Sequence, residues 1–426
     1  MNNINVTKVK YKYLIVPLIE LLDRLVPAKT DYWAFSVHHL RDGIFIENQR
    51  AVYEYIIKNN KDIQPIIFTR EADNIKNFEP QGFSLIVTKI KSIKGLMLFI
   101  RCKVIFVTHS ISMDYSIRWP KGAFTIIKIN LKKHKVINLW HGISVKKLLA
   151  LSNPVVKEHT DRVRYRRKEK RMYAGLVSSS LIDSYSMAAM FYPIQYTNIW
   201  ITGLPRTDFL LRNINNLPLH LQKENRLLEE LKGNKRLVVY APTYRQTKVI
   251  ENASYYQFTD SEIMLLRKVL KNNNAILGIR LHYFNNDIKQ SNIINYIDDE
   301  TIYDIGQEKV DEISPIIRNL DLLITDYSSV YIDALFLNKP VIGFIYDFDN
   351  YKEEQDGLLY NYTYSFPGPC VHNAFDLAKV VDYELSCNAQ TKSERYQIAR
   401  NMFFDYFDDA NSERVVNRVR RLINLK

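Results

Sequence analysis

The chain has 426 residues, too many for one small domain and enough for two or three. Hydrophobic residues at 46% and charged residues at 25% are ordinary for a folded soluble protein. Lysine and arginine outnumber aspartate and glutamate by 59 to 46, a net charge of +13 that suits nucleic acid, an anionic membrane or a phosphate-rich polymer. No helix-turn-helix, zinc-finger or RNA-recognition motif accompanies that charge, so no nucleic-acid partner is expected. The three cysteines, Cys102, Cys370 and Cys387, lack metal-ligand spacing and leave one unpaired, which points to a reduced cytosolic compartment. The first ten residues are polar and no small-residue cleavage site follows, so no secretory signal is read.

Residues 1–30 form an amphipathic, membrane-associating segment in this reading. Its apolar stretch, Tyr13 to Leu22, would reach roughly 15 Å as a helix against a hydrocarbon core of about 30 Å, so it cannot span a bilayer. It could lie in a membrane interface or pack on the protein's own surface. From residue 31 to 212 apolar runs alternate with helical patterns. Strands are expected at Tyr32 to Val37, Gln64 to Thr69, Ser84 to Thr88, Lys103 to Thr108, Val136 to Trp140, Gly175 to Ser178 and Asn198 to Thr202. Within this half the densest basic cluster, Lys157 to Arg171, offers Arg164, Arg166, Arg167 and Arg171 to an anionic membrane or polymer.

Residues 213–234 are polar and read as a linker. A second alternating series fills 235–405, with strands expected at Arg236 to Tyr240, Ala275 to Leu281, Thr301 to Ile305, Leu322 to Thr325 and Val341 to Tyr346. Residues 406–426 read as a terminal helix. Such alternation predicts an α/β protein of two parallel-sheet halves with a cleft between them.

The stretch from Asp321 to Tyr346 reads as strand, turn, helix, strand, which puts Ser328 and Ser329 at the carboxyl edge of a parallel sheet where a helix begins. Free backbone N–H groups and hydroxyls there suit a diphosphate, and equally suit ordinary helix capping. Three strand ends converge on that edge: Thr243 and Arg245 after one, Arg280 and His282 at the next, Thr325 and Asp326 at the third. In the first half, the strand ending at Trp140 delivers His141, a residue suited to general-base work, then Gly142 for a sharp backbone turn or close approach of a substrate, and the pair Lys146-Lys147. A lone histidine at a strand end can also be purely structural. Asp347-Phe348-Asp349 has the look of a metal-holding aspartate pair, but it follows a strand of the half that carries the diphosphate candidates, and no metal site is assigned to it. No glycine-rich dinucleotide or P-loop pattern is present.

Taken together, these motifs resemble the CDP-glycerol glycerophosphotransferase family of teichoic-acid and capsule-polymer enzymes. The resemblance runs from about Val136 to Arg414 and rests on Trp140-His141-Gly142, Gly203-Leu204-Pro205-Arg206-Thr207-Asp208, Tyr240 to Thr243, Arg280-Leu281-His282, Leu323 to Ser329, Pro367-Gly368-Pro369 and Ser412-Glu413-Arg414. It implies a GT-B fold, two Rossmann-like domains facing across a cleft. It further implies that His141 acts as base, that His282, Arg245, Ser328 and Ser329 bind the diphosphate of CDP-glycerol or CDP-ribitol, and that Gly142, Lys146, Arg206 and Asp208 border the cleft. The acceptor would be lipid-linked or polymeric, the product CMP, and the location peripheral on the cytoplasmic face of the cell membrane. Ile143-Ser144 stands where the family usually has Thr-Pro, and Tyr283 where it has proline, which bears on acceptor choice. A GT-B glycosyltransferase using a nucleotide sugar and a non-catalytic polymer-binding protein are the competing readings.

Overall fold

The computed structural model of the protein describes residues 16–70, 72–78, 86–115, 117–118, 124–125, 129–152, 163–243, 255–281, 291–354, 357–387 and 390–425. Arg245, His282, Tyr283 and the first fifteen residues lie outside the described residues. Seven strands form the first sheet: β1 (Lys29–Ser36), β2 (Gln64–Thr69), β3 (Ile86–Lys89), β4 (Cys102–Val107), β5 (Lys135–Asn138), β6 (Gly175–Ser178) and β7 (Ile199–Ile201). They lie side by side in the order β3-β2-β1-β4-β5-β6-β7, all parallel. The second sheet has β8 (Arg236–Ala241), β9 (Ala275–Ile279), β10 (Ile302–Asp304), β11 (Leu322–Thr325), β12 (Val341–Phe344) and β13 (Cys370–Val371), in the order β10-β9-β8-β11-β12-β13. Both sheets thus reverse direction next to their first strand, and ligands of open parallel sheets bind at the carboxyl ends beside such a reversal.

The burial of these strands follows from their sequences. Central runs such as Val104 to Val107 and Leu322 to Thr325 are fully buried, as expected of β-branched and leucine-rich strands covered on both faces by helices. Helices that pack around the sheets include α1 (Val16–Leu25), α2 (Glu47–Asn59), α3 (Val163–Arg171), α4 (Leu219–Lys232), α5 (Val330–Phe336) and α6 (Asn411–Leu422). Together the two parallel α/β domains make a GT-B-like arrangement. No described helix is long and apolar enough to cross a membrane.

Helix α1 is fastened to the first domain through buried Asp23, which accepts hydrogen bonds from Asn130 N–H and from Lys133 and pairs with His134 Nε2 at 2.8 Å. Its other face leaves Leu18, Leu21 and Leu25 exposed at 54%, 52% and 70%. The polar segment 213–234 contains α4, which packs on both domains: Glu224 accepts Asp311 N–H at 2.9 Å and Asn225 accepts from Asn319 at 3.0 Å, while Leu221 packs with Ala51 and Phe209 of the first domain.

Conversely, α6 returns to the first domain. There the Asp208 carboxylate caps it, accepting Asn411 N–H and Ser412 N–H at 2.9 Å each. Gly203, at φ +74°, lies so close that an added Cβ would stand 1.8 Å from Asn411 Oδ1, which no side chain permits. Two motifs about 200 positions apart, Gly203 to Asp208 and Ser412 to Arg414, therefore form one joint.

The domains also meet through backbone. Leu359 N–H donates to Val145 O at 2.9 Å and Lys147 N–H to Gly357 O at 3.1 Å, so the segment after His141-Gly142 pairs with the second domain. A single apolar core runs through this junction, joining Ile143 and Val145 to Tyr327 and Tyr351.

Candidate active site

Between the domains lies a cleft of about 360 Å³, and nearly every strand that reaches it does so by its carboxyl end. From the first domain the loop after β1 brings His38, His39 and Arg41, the end of β4 brings His109, and the end of β5 brings His141. Arg206 arrives from the helical turn Pro205–Thr207 after β7. The second domain contributes Ala241-Pro242 after β8, Arg280 after β9, and Ser328, Ser329 and Asp333 around the start of α5.

His141 is one of a row of imidazoles. His109 stacks on it almost parallel, with ring centroids 4.7 Å apart and an interplanar angle of 8°, and His39 follows at 3.6 Å from His109. Asp114 lies behind His109, 3.8 Å from Nδ1, where burial pushes its carboxyl up to about 6. The tight turn expected at Gly142 falls instead on Trp140, whose φ is +52°. Gly142 serves close approach: a Cβ there would sit 3.1 Å from Arg206 Nη2 and 3.9 Å from Ser329 Oγ. The histidine turn of one domain and the serine pair of the other are therefore neighbours.

Ser329 makes no capping hydrogen bond to α5, and Ser328 Oγ accepts Val330 N–H only at 3.4 Å. Neither hydroxyl is spent on a strong cap, and both line the cleft. Thr325 and Asp326 tie the strand-end loops together: Thr325 Oγ1 donates to Ala241 O at 2.6 Å, and Asp326 Oδ1 accepts the Thr243 N–H at 2.8 Å. Arg280 lines the cleft while donating to the carbonyls of Ile305 and Val310, and burial lowers it to about 10. Lys146 pairs by its backbone with Leu358, and its ammonium stands 5.7 Å from the Tyr351 ring. Asp208 is absent from the cleft lining, being occupied with α6.

Arg206 joins the two domains by donating to both oxygens of Asp333, at 2.9 and 2.8 Å. Burial works against its charge, and the carboxylates of Asp333, Glu47 and Glu312 outweigh burial, so the guanidinium is held in the protonated form. Burial pushes the Glu47 and Glu312 carboxyls up to about 7 each, and Arg206 opposes that rise in both. Arg41, from the first domain, adds a second cross-domain ion pair with Asp311 at 2.8 Å.

Sequence reasoning missed His39, His109, Arg41, Glu47 and Asp333. The rule that singled out His141, a histidine just beyond a buried strand, applies unchanged to His109 after β4 and to His38-His39 after β1. Among the described residues no cluster of three His, Cys, Asp or Glu side chains is arranged to hold a metal ion. Asp347 accepts the Tyr327 hydroxyl at 3.0 Å. In the basic cluster, Arg167 and Arg171 are exposed on α3; the backbone of Arg164 and Arg166 belongs to the same helix.

The chain is similar to several known proteins. The teichoic acid glycerol-phosphate transferase of Staphylococcus aureus (strain NCTC 8325 / PS 47) is 27% identical over 426 residues, covering 97% of this chain and 99% of the relative. The teichoic acid poly(glycerol phosphate) polymerase of Staphylococcus epidermidis is 28% identical over 311 residues, 72% of this chain and 41% of the relative, so the chain spans about two fifths of that polymerase. In fold it is similar to a variant of the wall teichoic acid polymerase TagF soaked with CDPG, with a TM-score of 0.75 and 22% identity over 99% of this chain and 97% of that one. A putative UDP-N-acetylglucosamine 2-epimerase from Listeria monocytogenes has the fold more distantly, with a TM-score of 0.52 and 12% identity over 93% of this chain and 97% of that one. Residues 22–421 match the family described as CDP-Glycerol:Poly(glycerophosphate) glycerophosphotransferase, and the chain belongs to that family.

Proposed function

We propose that the protein moves glycerol phosphate, or ribitol phosphate, from a CDP-alditol to a lipid-linked or polymeric acceptor of the teichoic-acid type and releases CMP. The observation that carries this reading is the meeting of the His141 turn with Ser329 and Arg206 across one cleft, within a chain of this family. In the reaction, His141 takes the proton of an acceptor hydroxyl, whose oxygen attacks the β-phosphorus of the donor. The bond from that phosphorus to the bridging oxygen breaks, and CMP leaves with the electron pair. Ser328 and Ser329 donate to the diphosphate oxygens, with Arg245 and His282 assigned to the same task by the family motifs. Phosphoryl transfer depends on in-line positioning and charge neutralisation more than on covalent help, and a base facing a diphosphate cradle supplies the first.

CMP release from CDP-glycerol and, separately, from CDP-ribitol, with purified protein and membrane extract as acceptor, tests the proposal. Release from one donor establishes the reaction class and names the alditol. No release from either, by folded protein and across varied acceptors, would turn the assignment toward a nucleotide-sugar transferase or a non-catalytic binder.

We further propose that the protein works at the cytoplasmic face of the membrane, held by the exposed leucines of α1 and the basic face of α3. Each basic residue near an anionic surface contributes about 1 kcal/mol, so changing Arg164, Arg166, Arg167 and Arg171 to glutamate should lower binding to phosphatidylglycerol vesicles at low salt at least about tenfold. Undiminished co-sedimentation of that variant would rule out this contact.

A further inference from the structure

One buried side chain touches two of the turns that build the first-domain side of the site without lining the cleft. Asn48, in the first turn of α2, is fully buried. Its Nδ2 donates to Leu139 O at 3.1 Å and to Trp140 O at 3.0 Å, the two carbonyls immediately before His141. Its Oδ1 accepts the N–H of Arg206 at 2.9 Å. A single carboxamide thus fastens the His141 turn to the Arg206 turn, 158 positions away from Asn48 in the chain.

The turn it holds is strained. Trp140 is a bulky residue at φ +52°, in a region that costs of order 1–3 kcal/mol and persists only where surrounding contacts over-determine it. Those contacts are identifiable. Asn138 Oδ1 accepts the Trp140 N–H at 2.8 Å, Asn48 takes its carbonyl, and the indole packs edge-on against Phe191 at 4.9 Å. Without Asn48 two buried carbonyls lose this donor, and the backbone can relax toward an ordinary φ, which would swing the His141-Gly142 turn away from its place beside Arg206 and Ser329.

We propose that Asn48 is a positioning residue for the transfer, acting through His141 by holding the left-handed Trp140 turn. This rests on the reading of His141 as the base. Asn48 is a better candidate for that role than the stacked His109 because two of its hydrogen bonds fix the backbone carbonyls of Leu139 and Trp140, which lead directly into His141.

The test is a double-mutant cycle on the full chain, measuring kcat and KM for CMP release together with CDP binding and thermal unfolding. Asn48→Ala is expected to lower kcat by about 10²-fold, the loss typical of a 1 Å misplacement, with the KM for the CDP-alditol and the affinity for CDP changed less than about twofold. Asn48→Ser, whose hydroxyl keeps one donor, should fall between Asn48→Ala and the unsubstituted chain, and it carries the same cycle if the alanine variant does not fold. In a His141→Ala background either substitution should cost less than about twofold more, because residues acting as a unit are not additive. Losses that multiply, or a donor KM that rises with the fall in kcat, would overturn the positioning role and leave Asn48 a merely structural residue. If His141→Ala alone left CMP release unchanged, the base assignment itself would fall, and this role with it.

Discussion

Replacing His141 with alanine is expected to lower CMP release by about 10³-fold, the middle of the range for a lost general base, while CDP binding is retained. The retention follows from where the groups sit: the serine pair belongs to the start of α5 in the second domain, and removing an imidazole from the first domain leaves it in place. His109 is the nearest group that could compensate. It stacks on the face of His141 with centroids 4.7 Å apart, so its nitrogens occupy a parallel plane and do not take over the same position in-line with the donor. The measurement is single-turnover CMP release beside a CDP titration. A loss of less than about tenfold would be too small for a base in this chemistry and would move that role to another group.

Asp333→Ala should be the most damaging substitution for stability around the cleft. Arg206 donates to both carboxylate oxygens from a site where it is only 9% exposed, and stripping the partner from a buried pair typically costs about 3–5 kcal/mol. Glu47 is the natural substitute, yet its carboxyl is raised chiefly by burial and only in lesser part by Asp333, so removing Asp333 leaves the main obstacle to its ionisation in place. Asp333→Asn, which keeps one acceptor, should cost less than the alanine. Urea unfolding of both variants at pH 7 decides the matter. A loss below about 1 kcal/mol for Asp333→Ala, the worth of an exposed ion pair, would mean that Arg206 finds water or Glu47 without penalty. Because Arg206 Nη2 also stands 3.1 Å from where a Cβ on Gly142 would be, the alanine variant should lose transfer activity as well.

Much of this architecture is legible in the order of residues. Every strand expected from an apolar run is present within a few residues of its place, with Gln64 to Thr69, Gly175 to Ser178 and Leu322 to Thr325 matching end to end. Those runs are buried on both faces, and continuous apolar sequence is the direct trace of that burial. The strand Cys370–Val371 went unseen because two residues are too few for any periodic signal. The segment 213–234 reads as a linker by its polarity; it forms α4, with Leu221 buried against Ala51 and Phe209 of the first domain and Glu224 and Asn225 bonded to Asp311 and Asn319 of the second.

For the site, sequence alone determined the strand-end groups: His141 after β5, Ser328 and Ser329 after β11, Arg280 after β9. Position at the end of a parallel strand is a local property, and local spacing encodes it. What only the tertiary structure decided is which groups meet across the cleft. Arg206 pairs with Asp333 over 127 positions, and Gly142 finds its reason in Arg206 and Ser329; within the first domain, Asn48 reaches Arg206 over 158 positions. It also separated Asp208, consumed in capping α6, from Arg206 two residues before it. The contacts across the cleft depend on how the two sheets are set against each other, and those within a domain on chain segments far apart in sequence being folded together; no single stretch of sequence carries either.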